Sequence, residues 1–294
     1  MGLLDEVRAA AEQTAREARL VRINVAALDA YARSLPVDQA RAPELDPATH
    51  FFGAPDDTLA YVLTLDAINF GSGYFPRLAK RPGMSGYFTV AASLKDEFAA
   101  HGPLELGSLN ADRCAEIFGQ TLHDPAVAEL MGLFAQALND LGAMVARDGY
   151  RGLVERASGS AEQLATLLTE MPFYRDVGFY KRAQLTAADL STAGVAEFHD
   201  LDRLTIFADN LVPHVLRVDG VLSYDPDLLA RINREELISS GSPEEREIRG
   251  CALHAVELMR GELNAMQLDY VLWNRGQAQT YKAQPRHRTR TVYY

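Results

Sequence analysis

Apolar residues at i, i+3, i+4 and i+7 recur along most of this 294-residue chain, and a helical fold is what buries such a pattern. Asp124-Pro125 marks one start: a capping carboxylate, then proline in the first turn. Val127, Leu130, Met131, Phe134, Leu138 and Leu141 follow at helical spacing. Ser242-Pro243-Glu244-Glu245 is a capping box that launches Ile248, Cys251, Ala252, Ala255 and Met259 along one face. Leu4, Val7, Ala11, Thr14 and Ala18 form an N-terminal amphipathic stripe. After a stretch containing Pro36, Pro43 and Pro47, Asp57 or its neighbour Asp56 is expected to cap a helix with Leu59, Val62, Leu63 and Ala67 inside. That helix runs into a glycine-and-aromatic turn over 69–75, and Ser160 to Met171 gives a shorter helix stopped by Pro172. Strand signals are confined to 87–90 and 220–224. The chain shows no internal repeat and no separating linker. The expectation is a compact, mainly α protein with few short strands, residues 1–294 forming a single two-lobed domain.

Within this pattern sits one conspicuous carboxylate. The run Leu204 to Pro213 reads as a helix, with Leu204, Phe207, Ala208 and Leu211 as its core stripe and Asp209 beside it. An ionised carboxylate among apolar neighbours loses several kcal/mol of hydration unless something pairs with it. Pro213 lacks an amide N–H, so the helix should end or kink just past the acid, where a carboxylate often faces a cavity. The alternative is an Asp that accepts backbone hydrogen bonds at a helix end.

Composition narrows the chemistry. The formal charge is −11 and the pI about 5.1. Affinity for long nucleic acid comes from counterion release by clustered Lys and Arg, so a small cationic or zwitterionic ligand suits this chain better. Cys114 and Cys251 stand 137 positions apart with no CxxC pair, which argues against zinc, iron–sulfur or disulfide frameworks. The seven histidines show no metal-ligand spacing, and there is no P-loop, dinucleotide fingerprint or Gly-x-Ser-x-Gly elbow. No metal and no cofactor are expected. No run of about 18 apolar residues is present and the N-terminus carries Asp5, Glu6 and Glu12, so neither a membrane span nor a signal peptide is expected. A cytoplasmic setting follows as the default; the oligomeric state is not readable.

Three further constellations carry chemistry. Phe179-Tyr180-Lys181-Arg182 offers a basic pair between aromatics, suited to a phosphate or to an ion pair with a buried acid, although such pairs commonly form a solvated face. In Gln267 to Asn274, Leu268, Val271 and Leu272 make a buried stripe. Asp269 with Trp273, and Tyr270 with Asn274, are i, i+4 pairs beside it. An acid, two aromatics and an amide side by side supply stacking and edge contacts for a flat heterocycle. The last constellation is the terminal His287-Arg288-Thr289-Arg290-Thr291-Val292-Tyr293-Tyr294, which reads as a tail docked on the fold. His50, before Phe51-Phe52, either contacts a ligand or is packed.

Together these elements resemble the queuosine salvage protein family, the queuosine 5′-phosphate N-glycosylase/hydrolases. The resemblance rests on Asp66-Ala67-Ile68-Asn69-Phe70, Lys181-Arg182-Ala183-Gln184, Leu204 to Asp209, Glu247-Ile248-Arg249-Gly250-Cys251, Leu268 to Trp273, and the terminal His287 to Arg290 with Tyr293-Tyr294. It covers the chain from about residue 50 to the end. It implies a helical fold similar to helix-hairpin-helix DNA glycosylases and release of queuine from queuosine 5′-monophosphate, a small-molecule nucleotide. It further implies Asp209 as catalytic carboxylate, Lys181 as the balancing cation, and His50, Phe207, Asp269, Tyr270 and Asn274 as base contacts. Asn69, Phe70, Asn210 and Trp273 are expected at the substrate too, with Arg182 or Arg249 holding phosphate. Asn274 stands where the family commonly has Asp, and Asn210 where it often has Tyr. The rival readings are a DNA or RNA base glycosylase with Lys181 as Schiff-base nucleophile, a non-catalytic nucleobase binder, and a helical interaction protein.

Overall fold

The computed structural model describes residues 2–37, 45–261 and 263–294. Pro43, in the proline-containing stretch, lies outside them. The described residues form fourteen α-helices: α1 (Leu3–Glu17), α2 (Leu28–Ser34), α3 (Pro55–Ala67), α4 (Gly86–His101), α5 (Ala111–Phe118), α6 (Pro125–Val145), α7 (Gly149–Glu155), α8 (Ala161–Leu168), α9 (Lys181–Thr192), α10 (Val212–Val218), α11 (Pro226–Asn233), α12 (Pro243–Met259), α13 (Ala265–Arg275) and α14 (Gln279–Lys282). Strands β1 (Val21–Ile23) and β2 (Leu222–Tyr224) pair antiparallel, with Val21 opposite Tyr224 and Ile23 opposite Leu222. The protein is mainly α.

The start signals act as their chemistry requires. Asp124 accepts the Ala126 N–H at 2.9 Å, Ser242 accepts that of Glu245 at 3.3 Å, and proline occupies the first turn of both helices. Helix α3 departs from expectation: Ala54 stands at its N-cap and Pro55 opens it, leaving Asp56 and Asp57 in the first turn, where the helix dipole favours their charge. The segment 87–90 is helix α4, not strand. Its start is set by Ser85, whose hydroxyl accepts the Phe88 N–H at 3.3 Å.

Two apolar clusters form the interior. The first collects Leu63 of α3, Leu94 of α4, Phe134 of α6, Leu164 of α8 and Ala187 of α9. The second collects Val7 of α1, Val215 of α10, Ile232 of α11, Val256 of α12 and Leu272 of α13. Two pieces of chain serve both. Helix α13 gives Tyr270 to the first cluster and Leu268 and Val271 to the second. The run 204–208 is neither helix nor strand; Leu204 and Phe207 enter the first cluster, Ile206 and Ala208 the second. A segment buried from both sides is apolar at nearly every position, so its helical spacing was coincidental. Helix α10 starts after Asp209, and Pro213 lies in its first turn instead of ending a helix.

The tail is docked as expected. The Gly71 N–H donates to the Tyr294 carbonyl at 2.9 Å, and Ile238 N–H to that of Arg288 at 2.8 Å. Gly73 lies so close to this tail that a Cβ there would stand 2.2 Å from the Thr289 carbonyl oxygen. No helix among the described residues is long and apolar enough to cross a membrane.

Candidate active site

A cavity of about 700 Å³ opens where the two clusters meet, within the size range of small-molecule sites. Apart from Arg182 and Arg249, every residue expected at the substrate lines it: Lys181 and Asp209, His50, Asn69 and Phe70, Phe207 and Asn210, and Asp269, Tyr270, Trp273 and Asn274 of α13.

Asp209 owes its position to local folding. Its Oδ1 accepts the N–H groups of Leu211 at 2.6 Å and Val212 at 3.3 Å, the open donors at the start of α10. Both readings of this acid therefore hold at once: it caps a helix and faces the cavity. The cap fixes the carboxylate plane, and Oδ2 takes no hydrogen bond from the described residues. The segment before it is held by Gln184, which exchanges bonds with Thr205 (N–H to Oε1, 2.9 Å), and by Arg249, whose Nε donates to the Ala208 carbonyl at 2.9 Å. Asn210 donates to the Ser72 hydroxyl at 3.0 Å.

Lys181 is 7% exposed and opens α9 after Tyr180, a non-glycine residue held in the left-handed region at φ 46°. Its ammonium forms neither a hydrogen bond nor an ion pair among the described residues. Burial pushes this amine below its usual range, while the charge of Asp209, and more weakly of Asp66 and Asp189, holds it up. Asp269 accepts the Phe207 N–H at 2.9 Å; burial and then the nearby Asp209 charge raise its carboxyl to about 7. His50 is buried and paired with Tyr87, Nε2 to hydroxyl 3.0 Å, and burial lowers its pKa, so it is neutral at pH 7. Trp273 meets the ring of Phe88 edge-on at 6.5 Å, and Phe70 packs edge-on against Phe134 and Phe173.

Two expectations fail on geometry. Arg182 and Arg249 are not free to bind phosphate. Arg182 lies between the rings of Phe70 and Tyr174 and donates to the carbonyls of Asp66, Ala67 and Phe173. Arg249 is enclosed by Asp176 and Glu245 and by the rings of Phe179 and Tyr294. Besides Lys181, the lysines and arginines that reach the cavity are Lys80, Lys282, Arg286 and Arg288. All but Arg288 are exposed, and Arg288 pairs with Glu235 at 2.9 Å. Arg286 is solvent-exposed yet ringed by protein; burial pushes it down and the charge of Asp209 opposes this. Enclosed carboxyls thus face an exposed basic group.

Sequence reasoning missed Asp189. Lys181, Leu185 and Asp189 are spaced i, i+4, i+8 on α9 and all line the cavity, a stripe that was there to be read. Asp189 also contacts the carboxyl of Asp66, which is 1% exposed. Neither oxygen of Asp66 has a hydrogen-bond donor among the described residues.

The family model described as queuosine salvage protein matches residues 49–294. A protein of Sphaerobacter thermophilus, named queuosine 5′-phosphate N-glycosylase/hydrolase, is 33% identical over 324 aligned positions, covering 100% of this chain and 98% of its own. Relatives of the same name from Mus musculus and Dictyostelium discoideum are 30% and 31% identical, covering 82% and 81% of this chain and 83% and 78% of theirs. With a match that takes in all of the cavity lining except Leu45 and Asp46, this chain belongs to the queuosine salvage protein family.

Proposed function

We propose that this protein hydrolyses the N-glycosidic bond of queuosine 5′-monophosphate, releasing queuine and ribose 5-phosphate. The observation that carries the reading is convergence: Asp209, with one oxygen anchored and the other open, shares one cavity with Asp269, Tyr270 and Trp273. Queuine is a 7-deazaguanine, so carbon replaces the N7 whose protonation would help a purine depart. More of the barrier then lies in stabilising positive charge on the ribose. A fixed carboxylate at the anomeric carbon does this electrostatically or by forming a glycosyl intermediate.

The other groups divide the remaining tasks. Asp269 accepts hydrogen bonds from the guanine-like edge, Tyr270 and Trp273 cover the base faces, and His50, Phe207 and Asn274 complete its enclosure. Phe70 and Asn69 form the wall behind, with Asn210 and Lys181 flanking Asp209. The cationic amine of queuine's side arm suits a cavity rich in carboxyls, and Arg286 with Lys80 and Lys282 suits the phosphate. Residues 1–294 act in this reading as one two-lobed unit in the cytoplasm.

Incubating the protein separately with queuosine 5′-monophosphate, queuosine and GMP, then identifying released base by mass spectrometry, tests this. Queuine from the first is expected. Intact nucleotide in all three reactions would overturn the reading, and binding of queuine without turnover would make the protein a nucleobase carrier instead.

A further inference from the structure

We infer that Asp189 is the proton donor to the departing base, its proton shared with Asp66. The inference rests on the proposed hydrolase reading. It starts from an unmet requirement: a base lacking N7 still leaves with an electron pair, and some group must protonate it.

Asp66 lies at the last turn of α3, 1% exposed, and neither carboxyl oxygen finds a donor among the described residues. The nearby Thr186 hydroxyl is committed to the Arg182 carbonyl at 2.9 Å. Of its remaining neighbours, Lys181 and Arg182 act by charge alone, and the carboxyl of Asp189 is the one in hydrogen-bonding contact. Two carboxyls in hydrogen-bonding contact cannot both be ionised without strong repulsion, so the contact holds a proton. Asp66 is shut away from the cavity whereas Asp189 lines it, so the proton is presented through Asp189.

The other groups around Asp189 set its electrostatic surroundings. Lys181, on its own helix, supplies charge that limits how far the proton is held. Asp269 on α13, its carboxyl raised to about 7 by burial and the Asp209 charge, accepts the Phe207 N–H, which works against that rise. Tyr270 and Tyr87 are both raised by burial, so they are neutral dipoles at pH 7. One cavity thus holds a carboxyl that gives a proton and a carboxylate that accepts, the division expected of acid–base machinery.

The step balances. The bond between C1′ and the base breaks, and its electron pair passes to the base. The Asp189 proton goes to a ring nitrogen of the base. Water oxygen bonds to C1′, its proton passes to Asp209 and then to solvent, and Asp189 is reprotonated from solvent. The products are base and ribose 5-phosphate.

The test is the pH dependence of kcat/KM for queuosine 5′-monophosphate in wild type, Asp189→Asn and Asp66→Asn, with melting and queuine binding confirming that each variant folds. Wild type should lose activity as pH rises through ionisation of the dyad. Asp189→Asn should lose about 100-fold or more in kcat, the size of a general-acid contribution. Asp66→Asn removes the neighbouring charge, so Asp189 should ionise more readily and the alkaline limb should move to lower pH. A merely structural role would lower activity at every pH and leave the limb in place, which would overturn the assignment, as would near-wild-type kcat in Asp189→Asn. Wild-type protein that releases no queuine at any pH would overturn the hydrolase reading as well.

Discussion

Arg249 of α12 holds the Ala208 carbonyl at 2.9 Å, one residue before Asp209. The same guanidinium is gripped by Asp176, in the turn leading into Lys181, and by Glu245 at 3.0 Å. A single buried cation thus ties the backbone beside the acid to the turn that presents the lysine. Replacing Arg249 by Met leaves two buried carboxylates without their partner. A loss of about 3–5 kcal/mol in unfolding free energy is expected in urea denaturation at pH 7.

Asp209→Asn should separate folding from turnover. Asn also caps helices, so α10 keeps its acceptor for Leu211 and Val212, and the melting temperature should stay near wild type. Turnover should fall by about 10²–10³-fold or more, because a neutral amide cannot balance charge growing on the sugar. Wild-type release of queuine by this variant would remove Asp209 from its assigned role.

Asp269 gives a pH signature in stability. Its folded pKa of about 7 lies above the unfolded aspartate value of about 3.9. The folded state therefore binds more protons between those limits, and this acid's contribution falls as pH rises from about 4 to 7, then levels. Asp269→Asn removes that penalty while keeping an oxygen for the Phe207 N–H. The variant should gain stability over wild type at pH 8, on the order of 4 kcal/mol, with little gain at pH 4, while losing affinity for queuine. Denaturation at the two pH values and a queuine titration measure both effects.

Gly73→Ala tests the docked tail. The added methyl would meet the Thr289 carbonyl at 2.2 Å, an obstacle of backbone and not of a side chain that can turn away. Destabilisation of about 1–3 kcal/mol is expected, with faster proteolysis of the last residues.

Trp273, the chain's only tryptophan, lines the cavity beside Phe88. Queuine should change its fluorescence saturably, and Phe88→Ala should alter the spectrum of the free protein.

Much of this was legible in the chain. Helices α6 and α12 announce themselves because a capping side chain, a proline and several turns of apolar spacing agree. The base-facing surface of α13 is legible for the same reason: polar and aromatic residues stand beside a clear stripe. Misreadings arose where a window was too short or too uniformly buried to show its period. Residues 87–90 hold aromatic and β-branched side chains over barely one helical turn, and 204–208 is apolar towards both clusters. Arg182 and Arg249 misled for a different reason. A sequence displays a charge but not the carbonyls and carboxylates that have already consumed it.

The seam from Leu204 to Asp209 limits how this enzyme can be altered. Neighbouring side chains there answer to opposite interiors, so a volume change in either is transmitted to the acid at their junction. Exchanging half of the molecule with a relative would shift that acid unless both interiors were matched. Retargeting to another base belongs instead on the outer face of α13, where Trp273 is partly open and Asn274 exposed.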